Sequence, residues 1–534
     1  MRSSDIALVV LLIVVAVLAV SSARMDAATT DEPAHIAAGM VKLQYGWLNL
    51  FREQPPLMNS LSALPVMMAG YRMPDGWQSG PDHWTVGRKF LYYSHYDAHR
   101  ILFLARLMTI LLFLDLVFAV YLFVKRQTGN AWWALGAAAL TGFCPNLMAH
   151  GRLITVDFAL TFFAFTATVY LLAMIERPSI AIAIFFGISA VAAPMSKVSG
   201  LILGPYFAAV IIAAFMFKRV RDPKRFVRAV AVSVAAGLLF FECFTLAEMS
   251  SAYIHFQYPH TPRLFVPFAD YLDNVKTIRA WYAHGHELPQ FLLGRFSRSG
   301  WPYYYLVAFL LKTTLPAIFL TIAAIVAGVR KRSFAFFALL GFVVLFMVVA
   351  GAGHLDLGLR YVLPIYPFLY AAIAIGLYEP RASSDARSGV AVALAVLVIW
   401  HIAENLANYP SYIAYFNESI GSKRNADKFL IDSNLDWGQD LRRLDQWCRH
   451  NDVRRISIQY FGGGDIEYDM RFAEPDIRWA PEPSPIPKGY FALSRHLYRI
   501  GMPLWGVDYD EYLKAQHASY VTSIGGSINI YRVE

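Results

Sequence analysis

Apolar residues along this chain come in long runs, not in the two-residue alternation of a strand or the one-sided stripe of a soluble helix. About eleven windows, at 6–20, 101–124, 131–149, 157–175, 179–194, 200–217, 227–247, 301–329, 333–352, 362–378 and 388–404, carry few or no charges and are long enough to cross a hydrocarbon core of roughly 30 Å as helices. The pattern predicts a mainly α, polytopic membrane protein with about 11 transmembrane helices. The first window has a basic start at Arg2 and a small-residue "SSA" behind it, features shared with a cleaved signal peptide. The many later windows favour a retained anchor.

Three polar pieces interrupt the pattern, at about 24–100, at about 248–300, and from 405 onward. In the first, "DEPAHIAAGMVKLQYGWL" places Ile36, Met40, Leu43 and Trp47 at three- and four-residue steps, predicting an interfacial amphipathic helix. The last mixes a helical "WGQDLRRLDQWCRHN" with strand-like "RISIQYF", "GYFALS" and "SINIYRV". The expected organisation is therefore a transmembrane domain over 1–404 and a small α/β extracytoplasmic domain over 405–534.

Composition and charge sharpen this picture. The chain is 57% hydrophobic and only 16% charged, beyond what a soluble domain keeps in solution. Its net charge of +9 comes largely from short loops holding Lys125 and Arg126, Arg177, Lys218 to Arg228, Arg330 to Arg332, and Arg381 with Arg387. Cytoplasmic loops retain positive charge, so these loops predict a cytoplasmic N-terminus and an extracytoplasmic C-terminus. Topology thus accounts for the basic balance, and no nucleic-acid partner is expected. Cys144, Cys243 and Cys448 form no CxxC pair and read as packed free thiols.

The chemistry gathers in the turns of one membrane face. Asp31 and Glu32 follow the first window closely enough to stay near the lipid surface. "FCPNLMAHGRLITVDFALTFF" brings His150, Arg152 and Asp157 to the same side, "APMSKVSG" brings Lys197, and "GHLDLGLRYVLPIYPF" brings Asp356, Arg360 and Tyr361. Carboxylates beside several cations suit a reaction on a lipid-linked phosphate. Arg and Lys hold the phosphate by charge-assisted hydrogen bonds, and a carboxylate takes a proton from an incoming hydroxyl. The competing reading of the acidic pair is helix capping, since acids, Pro33 and Thr are all ordinary at a helix start. Adjacent helical residues point roughly 100° apart, so one acid is chemical and the other structural.

"DEPAHIAAGMVKLQYG…FREQPPLMNSL" and "RLITVDFALTFF" resemble the signature regions of the GT-C superfamily, in particular glycosyltransferase family 39-like enzymes, which include protein O-mannosyltransferases and are related to lipid A aminoarabinose transferases. "GLRYVLPIYPF" and "YPSYIAYFNESIG…LIDSNLDWGQDL" resemble a bacterial branch of that family. The resemblance implies a polyprenyl-phosphate-sugar donor, an acceptor hydroxyl on protein, lipid or glycan, and a site on the extracytoplasmic face of a bacterial inner membrane. It matches Asp31, as base, and Glu32 to the family's first-loop acidic pair, and Asp157 to its later acid. Relatives commonly carry His or Lys before the two prolines, where this chain has Gln54, which supplies no positive charge. Arg360, Lys197, Arg152 and Arg52 are left as donor-phosphate candidates, with Gln54, His150 and Tyr361 in the substrate cleft. No cofactor is required, a divalent cation staying open, and no metal ligands cluster.

Other signals read more plainly. "DSNLDWGQDL" fits a capping box between Asp436 and Gln439, and "FGGGD" a tight turn more than a phosphate cradle. Asp115 and Lys312, at comparable depth, are expected to pair. A transporter or lipid flippase is the alternative function, but its site would sit near mid-membrane between repeated halves.

Overall fold

The computed structural model describes residues 3–80, 82–284, 289–353, 355–379, 384–481 and 485–534. Helices α1 (Ser3–Met25), α2 (Glu32–Tyr45), α3 (Pro56–Met68), α4 (His83–Tyr92), α5 (Ala98–Thr128), α6 (Ala131–Gly142), α7 (Pro145–His150), α8 (Val156–Glu176), α9 (Ile180–Ser196), α10 (Leu203–Met216) and α11 (Pro223–Ala247) come first. They are followed by α12 (Ser251–Gln257), α13 (Val266–His284), α14 (Tyr304–Lys312), α15 (Leu315–Lys331), α16 (Phe334–Gly351), α17 (Ile365–Leu377), α18 (Ser384–Ala407) and α19 (Leu441–His450). Every apolar window of the sequence falls on helix. By length and composition, 7 helices among the described residues can cross a membrane, or up to 8 if α14 and α15, bent by 114°, form one span. The window count was higher because proline breaks two windows: Pro145 opens α7 within one, and Pro316 lies in the first turn of α15 within another. Helices α9 and α17 are apolar but short. Of the inner-loop cations, Arg2, Arg381 and the side chain of Arg387 lie outside the described residues.

One hydrophobic core joins α1, α5, α6, α8, α15, α16 and α17, and it also takes in Tyr412, Phe416, Leu430 and Trp437 from the polar tail. Lys312 helps dock that tail: its ammonium donates to the Ile413 carbonyl at 2.8 Å and to the Asn434 carbonyl. The pairing expected between Lys312 and Asp115 is therefore corrected, because carbonyls of the tail satisfy the lysine while Asp115 faces outward from α5.

The chain ends in a five-stranded sheet of strand order β4-β3-β5-β7-β6, where, after the short hairpin β1 (Gln290–Leu292) and β2 (Arg295–Ser297), β3 is Arg455–Gln459, β4 Glu474–Ile477, β5 Gly489–Ser494, β6 Ala518–Ile524 and β7 Ile528–Val533. Strand β5 runs parallel to β3 and antiparallel to β7. Side chains alternate across its faces. Ala492 joins Ile456, Ile458 and Leu444 on one face, while Phe491 and Leu493 pack with Tyr509 and Leu513 on the other, so both faces are covered.

Helix α2 is buried from Glu32 to Lys42, packed by α3 and α4. Of its expected apolar stripe, Ile36 and Met40 are buried against protein, while Leu43 and Trp47 are half-buried. The end of α1 is tied down by Arg106 of α5, whose guanidinium donates to the carbonyls of Ala23 (2.6 Å) and Ala27 (2.9 Å) and pairs with Glu32. A buried charge that loses its partner costs about 3–5 kcal/mol. Glu32→Gln is accordingly expected to lower unfolding stability in detergent by about that amount, read as the loss in thermal or denaturant unfolding; unchanged stability contradicts the anchor.

Candidate active site

Asp31 and Glu32 leave one turn in different directions, as the helical repeat requires. Glu32 turns inward. Its oxygens accept from Arg106 Nε at 2.7 Å and Nη2 at 2.6 Å, and from the N–H groups of Thr29 at 2.9 Å and Ile154 at 3.0 Å. Burial alone raises its pKa, but Arg106 and the two amides hold it below the usual carboxylate value. With both oxygens engaged and no access to a cavity, Glu32 is an anchor, and the catalytic role expected for it is corrected.

Asp31 stands at the N-cap position of α2 yet makes no capping hydrogen bond. Its carboxylate accepts instead from Arg360 Nη1 at 2.8 Å, on the wall of a cavity of about 810 Å³. Arg360 lies on the short turn Leu359–Val362 with its guanidinium 4.3 Å from the ring centre of Trp437 and 5.3 Å from that of Tyr361. Its Nη1 is 3.8 Å from Asp157 Oδ2, and Asp157 Oδ1 pairs with Lys197. The Asp157 Oδ2 atom is buried with no hydrogen-bond partner. Lys197 lies 3.8 Å from the ring centre of Tyr361. Burial pulls the Lys197 pKa below its ordinary value, with Asp157 opposing. For Arg360 burial also acts downward, but Asp31, Tyr361 and Asp157 outweigh it and raise the pKa, so the guanidinium stays charged. Signs thus alternate along Asp31, Arg360, Asp157 and Lys197. Asp31, Gln54, Lys197, Arg360 and Tyr361 line the cavity.

Besides Glu32 and Asp157, three expected site residues do not line it. Arg152 is buried against Asp26 and bonds the Pro410 carbonyl at 3.3 Å, so its charge is spent on structure. Arg52 gives two hydrogen bonds to Asn49 Oδ1, at 3.0 and 2.7 Å. His150 is buried 6.0 Å from the Trp437 ring, and burial pushes its pKa down to about 3, leaving it a neutral prop. Among the described residues no group of three or more His, Cys, Asp or Glu could hold a metal ion.

The tail supplies what sequence reasoning missed. Trp437 carries Arg360 on its face, and its carbonyl accepts the Thr30 N–H at 3.0 Å, next to Asp31. Asn434 Oδ1 accepts the Leu359 N–H at 2.9 Å, next to Arg360. One segment therefore positions both the acid and the cation. The capping box read there is corrected: α19 opens only at Leu441, and Gln439 instead accepts from the Trp437 N–H and donates to the Leu435 carbonyl. "FGGGD" presses against the same place, since a Cβ on Gly463 would stand 2.2 Å from the Thr29 carbonyl oxygen. The available signal was a tryptophan set among hydrogen-bonding side chains outside any periodic pattern.

Residues 48–251 match the family model described as dolichyl-phosphate-mannose-protein mannosyltransferase. That match covers 204 of the chain's 534 residues. Among solved structures it is similar to apo ArnT from Cupriavidus metallidurans, at 12% identity and TM-score 0.47 over 99% of this chain and 98% of that one. It is also similar to the archaeal oligosaccharyltransferase AglB from Archaeoglobus fulgidus, at 12% identity and TM-score 0.49 over 100% of this chain and 75% of that one. The S. cerevisiae Pmt1-Pmt2 complex follows at 19% identity and TM-score 0.37, over 48% of this chain and 34% of that one. No curated protein matches the sequence.

The matched region contains Gln54, His83, Trp84, Asp157 and Lys197, while Asp31, Arg360 and Trp437 lie outside it. Trp437→Leu keeps an apolar side chain but removes the flat face under Arg360. A desolvated cation–π contact is worth about 2 kcal/mol, so sugar transfer is expected to fall roughly 10- to 30-fold in a folded protein. Wild-type transfer rates in purified Trp437→Leu contradict the platform role.

Proposed function

We propose that the chain transfers a sugar from a polyprenyl-phosphate-linked donor to an acceptor hydroxyl of a protein, lipid or glycan, on the membrane side opposite the basic loops. The observation that carries this reading is the cavity on which a carboxylate, Asp31, and two cations, Arg360 and Lys197, meet an apolar wall of Val198, Ile202, Phe346 and Val349. The family description of residues 48–251 supports the same donor chemistry.

The donor phosphate sits against Arg360 and Lys197, with its prenyl chain along the apolar wall. The acceptor oxygen attacks the anomeric carbon, the bond from that carbon to the phosphate oxygen breaks with its electron pair leaving on phosphate, and Asp31 takes the hydroxyl proton. A phosphodiester donor carries one negative charge and the departing phosphomonoester approaches two, so the cations bind the transition state more strongly than the donor. Tyr361 backs both cations. Asp157 holds Lys197 in place and balances the excess positive charge. In the structure Arg360 is occupied by Asp31. Arrival of the phosphate gives Arg360 a new partner and frees the base, so donor binds before acceptor. A transport path would continue inward, yet beneath Asp157 the helix buries Phe158, Leu160, Ala164 and Phe165.

Asp31→Asn keeps size and removes the base, so turnover is expected to fall by roughly 10²–10⁴ with donor binding retained. Arg360→Ala should instead weaken donor binding by about 1.5–3 kcal/mol, and Arg360→Lys should recover part of it because a point charge lacks the planar fork. Transfer assays and donor titrations on purified protein separate the two effects. Wild-type turnover in folded Asp31→Asn overturns the assignment of the base.

A further inference from the structure

Part of the cavity lining suits neither the phosphate nor a prenyl chain. Phe51 and His83 stack there with ring centres 4.2 Å apart and planes 19° from parallel, and Trp84 lies 4.8 Å from His83 and 6.1 Å from Phe51. All three line the cavity, together with Glu53 and Gln54 from the loop that follows Phe51. Trp84 is 41% exposed, while Glu53 and Gln54 are half-buried. Among the described residues, the Glu53 carboxylate, the Gln54 amide and the Trp84 indole N–H make no hydrogen bond to protein, although each faces the cavity wall. The cation of the same loop, Arg52, is turned to Asn49 and is absent from the wall, while Arg279 of α13 lines the cavity.

The chemistry left unspent is specific. Flat aromatic faces take apolar C–H surfaces, the carboxylate accepts from paired hydroxyls, and the amide both donates and accepts. Bulk lipid would leave the carboxylate and amide desolvated without partners, which is costly. A second phosphate would meet the negative charge of Glu53. An uncharged ring that is apolar on its faces and hydroxylated around its rim satisfies every group at once, as small-molecule sites with a few convergent polar groups on an apolar lining do.

We propose that Phe51, Glu53, Gln54, His83 and Trp84 form a subsite for one pyranose ring. This rests on the glycosyl-transfer reading, and the ring is either the donor's sugar or a sugar carried by the acceptor. Gln54 in place of a cationic residue fits a neutral ring. The exposed Trp84 is the ring platform, and Glu53 orients the hydroxyls.

Saturation-transfer NMR on the full chain in lipid nanodiscs, with methyl mannoside, glucoside and galactoside as probes, tests the subsite without any transfer reaction. At least one probe is expected to receive saturation on its ring C–H protons. Binding should weaken about tenfold in Trp84→Ala and in Glu53→Ala, survive in Trp84→Phe, and survive in Asp31→Asn. Trp84 is exposed enough for its removal to leave the fold intact, and thermal unfolding of each variant checks this. If preloading with a polyprenyl-phosphate sugar blocks the probe, the subsite belongs to the donor; if the probe still binds, it belongs to the acceptor. Absence of saturation from all three probes, or saturation unchanged in both Trp84→Ala and Glu53→Ala, overturns the proposal. Because no step depends on Arg360 or on turnover, this outcome is separable from failure of the transfer reading.

Discussion

The placement of the whole site depends on the buried pair between Glu32 and Arg106. A carboxylate and a guanidinium with both side chains at or below 1% exposure hold each other through two hydrogen bonds, and the remaining donors of Arg106 reach carbonyls at the end of α1. Glu32 is thereby fixed inward. Since the next position on the helix points roughly 100° away, Asp31 is turned out onto the cavity. The acidic pair works as one unit, in which a fully satisfied charge aims a partly exposed one. Desolvation makes such a pair expensive to break, which gives the direction of Asp31 its rigidity.

The second constraint comes from the far end of the sequence. The segment from Ser433 to Asp440 crosses between the helical core and the sheet, and its backbone bonds Ala27 and Thr30 while Asn434 holds Leu359. A further ionic cluster ties it down, with Arg443 pairing with both Asp26 and Asp440, and Asp26 pairing with Arg152. Two loops separated by more than three hundred residues of sequence are thus registered against one rigid strip. Trp437 completes this by giving the Arg360 guanidinium a flat apolar face, a support that leaves its hydrogen-bonding edges available for Asp31 or a phosphate.

Much of the fold was legible because its signal is local. Long apolar runs announce helices wherever they occur, and the alternation in "GYFALS" announces β5. What stayed hidden was non-local. Pro145 splits a window, yet nothing nearby says that a separate short helix, α7, then begins there. The apolar stripe of α2 looked like a lipid-facing surface because the residues that cover its other sides, in α3 and α4, are distant in pattern. The site behaves the same way. Asp31, Gln54, Lys197, Arg360 and Tyr361 share one cavity, with Asp157 behind it. Arg152, Arg52 and His150 sit in equally suggestive turns, but Asp26, Asn49 and Trp437 take them up, and no local spacing encodes that choice. Trp437 was overlooked for the converse reason: a capping box explains its neighbours locally, and only the fold shows Trp437 beneath Arg360 and Asn434 bonded to Leu359.

The central claim is that Arg360 exchanges Asp31 for the donor phosphate. A structure of the full chain in nanodiscs with a polyprenyl phosphate bound measures this directly. The account predicts phosphate between Arg360 and Lys197, Tyr361 still beneath both, and the 2.8 Å contact between Arg360 and Asp31 opened so that the carboxylate faces the cavity. Phosphate bound elsewhere, with that contact intact, would contradict it.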